Sequence, residues 1–321
     1  MPRRLGLALV ATAFAVGALA RAPAAAESPA RPFTLGARLD NDVFGDSDRY
    51  FTNLFALTFD ARLATLPLRR WGPSALSLDV AVVQSIYTPR FLRLPAPTWG
   101  DRPYAGWLRG RLGALLQGQR DALGLYLSAG VVGPGALGRQ TQRAVHTVLG
   151  IYQPEGWDTQ LPNRLSVQVA LERAHLRGGA FGDGGRAGAG VWGATDLGTI
   201  RQEAAAGAGT FVSWRLPDLE SVAVFSPRLA APAYGSPDRV GLAFAGAYVQ
   251  RLVLFDHLLE TRPPAVNHDV EGAPVLHELR LVAILRYRRL RIRYAQIVQS
   301  RVFERQRRAH IWGIAEVSLS F

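Results

Sequence analysis

The feature that most constrains this chain is a two-residue alternation of side-chain character that recurs along most of its length. From 33 to 40, and again from 311 to 321, every second residue is apolar or small. This period places successive side chains on opposite faces of an extended strand. Segments of this kind are typical of membrane-spanning β-strands, which turn apolar side chains outward and polar ones inward. The alternation therefore predicts a sheet protein.

Twelve such runs can be drawn along the chain. Two lie near 33–39 and 51–59, and the others at 76–88, 104–117, 121–133, 164–174, 189–200, 205–215, 239–251, 275–287, 289–300 and 309–321. An even number closes an antiparallel barrel with both chain ends on one side. We predict an all-β fold: a closed antiparallel transmembrane β-barrel of about twelve strands, ending on the aromatic residue Phe321.

A secreted β-sandwich would alternate in the same way and is the soluble alternative. The polar faces, however, carry Arg109, Arg111, Arg291 and Arg293. Arginine is rarely buried without a partner, so a dry sandwich core accommodates this set poorly. The arginines favour a barrel with a hydrated or salt-bridged lumen.

The first residues predict export. A basic start at 1–4 precedes an apolar run at 5–20 and three alanines at 24–26, which is the pattern of a secretory signal peptide. We predict a signal peptide at 1–26 and one barrel domain at 27–321. The chain contains no cysteine, which excludes disulfides, thiolate metal sites and cysteine nucleophiles.

All 37 basic residues are arginine, and the formal net charge is +12. An exported protein with this excess suits an anionic surface such as a phosphorylated glycolipid, because guanidinium groups bind phosphate in a bidentate manner. Export argues against nucleic acid as a partner. We expect a monomer in the outer membrane of a Gram-negative cell.

Counting strands from a periplasmic N-terminus places 43–50, 89–103 and 134–163 outside, and 61–75, 118–120 and 175–188 on the periplasmic side. The external segment around 135–150 changes to a helical period, which predicts a short helix. Gln142 and His146 are four residues apart and share one helix face. His146 is the best general-base candidate in the chain.

Six ordered motifs in 39–164 together resemble the lipid A 3′-O-deacylase family of outer-membrane barrels. They are Asn41-Asp42, Asp48 to Asn53, Tyr87 to Pro89, Asp101 to Trp107, Gly133 to Gly138 with Gln142 and His146, and Gly156 to Asp158 with Gln160. The resemblance implies a Ca²⁺-dependent hydrolysis of the 3′-linked acyloxyacyl ester of lipid A, the lipid anchor of lipopolysaccharide.

Carried onto this chain, the resemblance makes His146 the base that activates water and Gln142 its neighbour in the site. It makes Asp42 the metal residue, with Asn41 beside it, and lets Thr52 line the pocket. The alternation of the second strand independently places Thr52 opposite Phe51 and Phe55, and hence predicts that it faces inward.

The family has a lysine after the segment that resembles Tyr87 to Pro89, and this chain has none. Arg90 or Arg93 could bind the substrate phosphate in its place, although arginine and lysine are not equivalent. Arg102 and Tyr104 are further candidates for positioning the substrate.

Two other functions remain open from the sequence. One is an outer-membrane phospholipase with a serine nucleophile, for which Ser85 and Ser128 are candidates. The other is a non-catalytic porin, which would need the same fold and a basic lumen.

Overall fold

Twelve antiparallel strands pair with their neighbours in sequence, and the barrel closes where β1 pairs with β12. The computed structural model describes residues 33–45, 49–216, 218–226, 228–229, 240–261, 263 and 270–321. The predicted signal peptide, 1–26, lies outside these residues. The strands are β1 Phe33–Asn41, β2 Tyr50–Leu68, β3 Gly72–Thr88, β4 Ala105–Gln117, β5 Asp121–Val132, β6 Arg164–Phe181, β7 Gly185–Gly198, β8 Arg201–Trp214, β9 Gly241–Asp256, β10 Val275–Tyr287, β11 Leu290–Gln299 and β12 His310–Ser320.

The predicted closed twelve-stranded barrel is thereby confirmed, but some strands are longer than the alternation indicated. The connections predicted at 61–75 and 175–188 shrink to tight turns at 69–71 and 182–184. The ladder between β2 and β3 continues to the pair Leu68 and Gly72. The backbone N–H and C=O groups of neighbouring strands form hydrogen bonds whatever the side chains are. Strand pairing therefore extends beyond the residues that show the hydrophobic alternation.

Outward-facing apolar side chains cover the barrel wall, as a lipid-facing surface requires. Leu35, Leu57, Val82 and Leu281 are examples, and each is about half exposed or more. Inside, charged residues joined in salt bridges line part of the lumen, and a buried apolar cluster that includes Trp192, Phe211 and Val249 fills another part. The Nε and Nη2 of Arg111 donate to the two carboxylate oxygens of Asp79, at 2.6 and 2.9 Å, which fits the predicted salt-bridged lumen.

The described part of the connection between β8 and β9, residues 218–226 and 228–229, lies in the periplasmic half of the lumen. Its 3₁₀ helix, Asp218–Val224, is followed by the buried ring of Phe225, which stacks on Trp192. Glu220 is fully buried and accepts hydrogen bonds from Arg286 at 3.2 Å and Arg291 at 2.9 Å. We call these described residues, 218–226 and 228–229, the plug. The strand pattern contained no sign of it.

Two α-helices lie in the external connections. Helix α1, Gly138–Val148, follows β5, and the four-residue α2, His257–Glu260, follows β9. The predicted external helix is confirmed at α1. Within the part of the chain that is described, no helix has the length and apolarity needed to cross a membrane.

Candidate active site

Helix α1 lies against the outer face of the barrel wall, the face that points away from the lumen. Trp107 lines the lumen, so its neighbour Gly106 faces outward. A Cβ built on Gly106 would come within 3.1 Å of both the Cβ of Ala136 and the backbone N of Gly138. On β3, the Nε2 of Gln84 donates to the carbonyl of Ala136 at 2.7 Å. The wall and the start of α1 are therefore in direct contact.

Gln142 and His146 form the buried face of α1, as their spacing predicted. Each is less than 5% exposed, whereas the residues between them are partly or fully exposed. The Oε1 of Gln142 accepts the indole N–H of Trp157 at 2.8 Å. The ring of Trp157 packs against that of Tyr104, with the centroids 5.0 Å apart and the planes inclined by 50°, and also packs with Ile86 of β3. These contacts hold α1 and its polar face on the wall.

The imidazole of His146 is fixed in one orientation. Its Nδ1 lies 2.6 Å from the carbonyl oxygen of Tyr152, and the two rings meet edge to face at 5.6 Å. A carbonyl only accepts hydrogen bonds, so Nδ1 carries the proton. The Nε2 atom then holds the lone pair that a general base needs.

Asn41 is the last residue of β1 and follows Asp40, which lines the lumen, so Asn41 faces outward. Asp42 comes next, at the start of the 3₁₀ helix Asp42–Gly45. Asn41 pairs with Asn53 across the β1–β2 ladder, and its Oδ1 accepts the backbone N–H of Val43 at 2.7 Å. Asp42 is 1% exposed, and its Oδ2 accepts the backbone N–H of Arg49 at 2.5 Å. The two hydrogen bonds, from the backbone N–H groups of Val43 and Arg49, therefore fix the side chains of Asn41 and Asp42.

The prediction that Thr52 faces the lumen is wrong. A bulge in β2 shifts the register between Phe51 and Asn53, and a bulge redirects the side chains beside it. Phe51 lines the lumen. The Oγ1 of Thr52 instead lies 2.6 Å from the Oγ1 of Thr88, which follows the lumen-facing Tyr87 and so points outward. Thr52 is on the side of the wall that α1 covers.

We call Asn41, Asp42, Thr52, Gln142 and His146 the outer-face site. Of the two arginines predicted to bind phosphate, Arg90 and Arg93, it is Arg93 that lies near His146. The guanidinium of Arg93 lies 4.5 Å from the centroid of the Tyr152 ring, next to the carbonyl that orients His146. Arg90 is held elsewhere, by its backbone N–H to the Oδ2 of Asp101 at 2.8 Å.

Arg102 and Tyr104 are not placed to contact a substrate at the outer-face site. Arg102 lines the lumen, where its guanidinium lies 4.5 Å from the Tyr87 ring. Tyr104 is fully buried under Trp157 as part of the packing that supports α1. The motif that contains both residues is thus a scaffold, with one side chain on each side of the wall.

Burial raises the pKa of the Asp101 carboxyl above its ordinary value, and the backbone N–H groups of Arg90 and Arg102 oppose that rise. These two hydrogen bonds, at 2.8 and 2.9 Å, tie the loop 89–104 together at its centre. Asp101 therefore stabilises the loop that carries Arg93.

The oxygen donors at the strand ends fit a hard cation. Asn53 pairs with Asn41, the residue before buried Asp42, and its Oδ1 is buried and makes no hydrogen bond to any described residue. Carboxylate and amide oxygens are the ligands that Ca²⁺ prefers. Among the described residues, no group of three or more His, Asp or Glu is arranged to hold a metal ion, so amide, hydroxyl, backbone and water oxygens would complete the coordination.

Several residues of the site were not found from the sequence. Asn53 and Trp157 lie in the motifs that carry the family resemblance, but the sequence assigned no role to either. The signal that was available for Asn53 was its position at the end of a predicted strand, and for Trp157 it was its position shortly after the predicted helix. Gly106 also lies in one of these motifs, Asp101 to Trp107, without an assigned role. Gln84 carried no signal, because nothing in the alternation shows that a loop will fold back over the wall.

A family model described as "Outer membrane protein LpxR" matches residues 9–321. Among solved structures, LpxR from Salmonella typhimurium superposes with a TM-score of 0.78 at 18% identity, covering 90% of this chain and 100% of that one. The β domain of the Bordetella autotransporter BrkA gives a TM-score of 0.47 at 7% identity, covering 91% and 100%. No curated protein sequence matches. The chain therefore belongs to the LpxR family, the lipid A deacylase family that its motifs resemble, and is a barrel of the outer membrane.

Proposed function

We propose that the outer-face site hydrolyses the 3′-linked acyloxyacyl ester of lipid A. The observation that carries the proposal is the fixed His146, held by the carbonyl of Tyr152 at 2.6 Å on the lipid-facing side of the wall. Around it, α1 exposes Val145 and Val148, the latter 85% exposed. An ester of a membrane lipid would reach such a site from the outer leaflet without leaving the bilayer.

The reaction follows from the orientation of His146. Its Nε2 takes a proton from a water molecule, and the water oxygen attacks the ester carbonyl carbon. The resulting tetrahedral species loses the bond between that carbon and the 3′ oxygen, and protonated His146 returns the proton to this oxygen. The products are the free acyloxyacyl acid and a 3′ hydroxyl on lipid A. General-base catalysis of this kind contributes about 10²- to 10⁴-fold.

Asp42 would hold Ca²⁺, with oxygens from Asn53 and its strand neighbour Asn41 nearby. Bound there, the ion would supply positive charge for the oxyanion that develops at the ester carbonyl. The donor chemistry supports this assignment, because every candidate ligand at the strand ends is an oxygen.

Gln142 and Thr52 complete the polar surroundings of the ester. The Oε1 of Gln142 accepts the hydrogen bond from the Trp157 N–H. The two N–H groups of its Nε2 remain available, because this buried nitrogen makes no hydrogen bond to any described residue. A buried donor without a partner is costly. The carbonyl oxygen of a bound ester would satisfy it, and the Thr52 hydroxyl offers a further polar contact.

Arg93 is the residue we assign to the substrate phosphate in place of the family lysine. It is exposed, and its guanidinium sits on the ring of Tyr152, which also contacts His146. A guanidinium there can form a bidentate pair with a phosphate. Arg90 stays a weaker candidate, because its guanidinium stacks on Phe91 instead.

The two alternatives fit the structure less well. Ser85 is fully buried on the lumen side, where its Oγ accepts a hydrogen bond from Arg109 at 3.2 Å, and Ser128 also lines the lumen. Neither serine faces the lipid. A porin needs an open lumen, whereas the plug occupies the periplasmic half of this one.

The direct test is to incubate the purified protein with lipid A and, separately, with phospholipid, each in Ca²⁺ and in chelator. We expect lipid A to lose the acyloxyacyl group in the presence of Ca²⁺ and to keep it in the presence of chelator. Cleavage of phospholipid without cleavage of lipid A would instead support the phospholipase.

A further inference from the structure

Above the plug, the external half of the lumen encloses a cavity of about 300 Å³. Phe225 and Arg228 of the plug line it on one side, and external residues such as Leu259 and Val302 line it on the other. About 15 Å³ of such volume admits one water molecule, so the cavity is large enough for a small anion and its waters. No member of the outer-face site lines it.

The arginines of this cavity are almost, but not entirely, paired, and one lining carboxylate, Glu260, forms no salt bridge with a described residue. Of the nine arginines that line it, seven form salt bridges with carboxylates. The exceptions are Arg102 and Arg109, neither of which lies within salt-bridge distance of a described carboxylate. Asp256 and Asp196 act on them electrostatically but are bound by Arg201 at 2.8 Å and by Arg228 at 3.4 Å.

Arg102 is a buried cation with unused donors. It is 4% exposed, and its Nε is buried without a hydrogen bond to any described residue. Its one side-chain hydrogen bond to a described residue is long, 3.4 Å to the carbonyl of Leu258. Burial lowers the pKa of Arg102, against the opposing influence of Asp256. A buried charge of this kind is costly unless an anion or hydrogen bonds compensate it.

Arg109 is oriented toward the same part of the wall. Its guanidinium lies 3.8 Å from the centroid of Trp107 and donates to the Oγ of Ser85 at 3.2 Å. Arg102 lies over Tyr87, two residues along β3 from Ser85. Alternate residues of a strand are about 6.6 Å apart, so the two guanidinium groups lie over neighbouring positions of the inner wall.

We propose that this cavity binds an oxyanion of the phosphate type between Arg102 and Arg109. Planar guanidinium groups that are stacked on aromatic rings keep their N–H edges available and bind phosphate in a bidentate manner. The anion would supply these two cations with the negative charge that the carboxylates paired with the other seven arginines do not. The site is separate from the deacylation chemistry and does not depend on it.

Calorimetric titration of the refolded protein with inorganic phosphate tests the proposal. The variants Arg102→Gln and Arg109→Gln, single and combined, keep a hydrogen-bond donor while removing the charge. We expect one saturable binding event in the lumen, at least about tenfold weaker in the double variant. Arg69→Gln, in an exposed turn at the other end of the barrel, is the matched control and should bind as the wild type does.

Every titration is repeated in an Arg93→Gln background, so that the outer-face guanidinium does not contribute. A second series uses phosphorylated lipid A in mixed micelles, which distinguishes a lipid headgroup from free phosphate. Binding of either ligand that is lost in the double variant supports the site and identifies its source. Equal binding by the double variant, or no saturable binding of either ligand to the wild type, overturns it. A mobility shift on heating confirms that each variant is folded, and Arg109→Gln alone is decisive if the double variant does not fold.

Discussion

Replacing Gly106 with valine should slow deacylation without unfolding the barrel. Gly106 is where the wall touches the start of α1: a Cβ there would lie 3.1 Å from the Cβ of Ala136 and 3.2 Å from the Cα of Gly138. These are backbone and short side-chain atoms that cannot rotate away. The helix, which lies outside the barrel, has to move instead.

The size of the effect follows from these distances. Ordinary contacts of a Cβ begin near 3.4 Å, so the Cβ alone displaces the helix by a few tenths of an ångström. The two methyl groups of valine extend the displacement to about 1 Å, and a misplacement of that size costs about 100-fold in rate, or ~2.7 kcal/mol of transition-state stabilisation. The assay is the initial rate of acyloxyacyl release from lipid A, followed by mass spectrometry.

Gly110 provides a matched control, because it lies on the same outward face of β4 and a Cβ added to it would meet no atom within 4 Å. Gly110→Val should therefore keep the wild-type rate. Should Gly106→Val deacylate as fast as Gly110→Val while both are folded, the position of α1 on the wall would not matter for catalysis, and the reasoning would be refuted.

Three further outcomes are expected. Chelation of Ca²⁺ should abolish deacylation and added Ca²⁺ should restore it, and Asp42→Asn should resist this rescue because the anionic oxygen ligand is lost; full activity in chelator would contradict it. Arg93→Gln should raise KM about tenfold with little change in kcat, since it removes a contact that binds the ground state and the transition state equally. Arg90→Gln should change neither KM nor kcat. Equal effects of the two substitutions would contradict the assignment of the phosphate to Arg93. Burial, reinforced by the charge of Arg164, lowers the pKa of His257 from its ordinary 6.5. The folded state therefore binds fewer protons than the unfolded one, so local stability is full above about pH 6.5 and falls below it. Amide exchange in α2 should accelerate at lower pH in the wild type but not in His257→Gln, and an identical pH dependence would be contrary to this assignment.

The barrel could be predicted from the sequence because each strand carries its own two-residue period. Strand ends were harder, since the ladder between β2 and β3 continues to Leu68 and Gly72 on backbone bonds alone. The prediction of the face on which Thr52 lies failed for a related reason. One bulged residue between Phe51 and Asn53 reverses the alternation, and periodicity cannot show where a bulge falls.

The members of the outer-face site could be named from motifs, but their arrangement could not. A helical period predicted that Gln142 and His146 share a face, and it left open which side of the wall that face would meet. The contact between Gly106 and the helix decides this. Arg102 and Tyr104 are two residues apart in one motif, yet they lie on opposite sides of the wall. Both precede β4, so no strand alternation relates their directions.

The plug was missed because its segment has no strand or helix period. Its buried run, Ser221 to Phe225, reads as a short apolar stretch between two predicted strands. The two arginines that hold Glu220, Arg286 and Arg291, come from β10 and β11. Such pairs are set by the closed barrel and are not visible in local sequence.

The central claim is that His146 is the base of a lipid A deacylase, and mass spectra of lipid A from cells that carry the protein test it most directly. Cells with the wild-type protein should lose the 3′ acyloxyacyl mass, and cells with folded, membrane-inserted His146→Ala should keep it. Loss of the same mass at the wild-type rate in the His146→Ala cells would contradict the account.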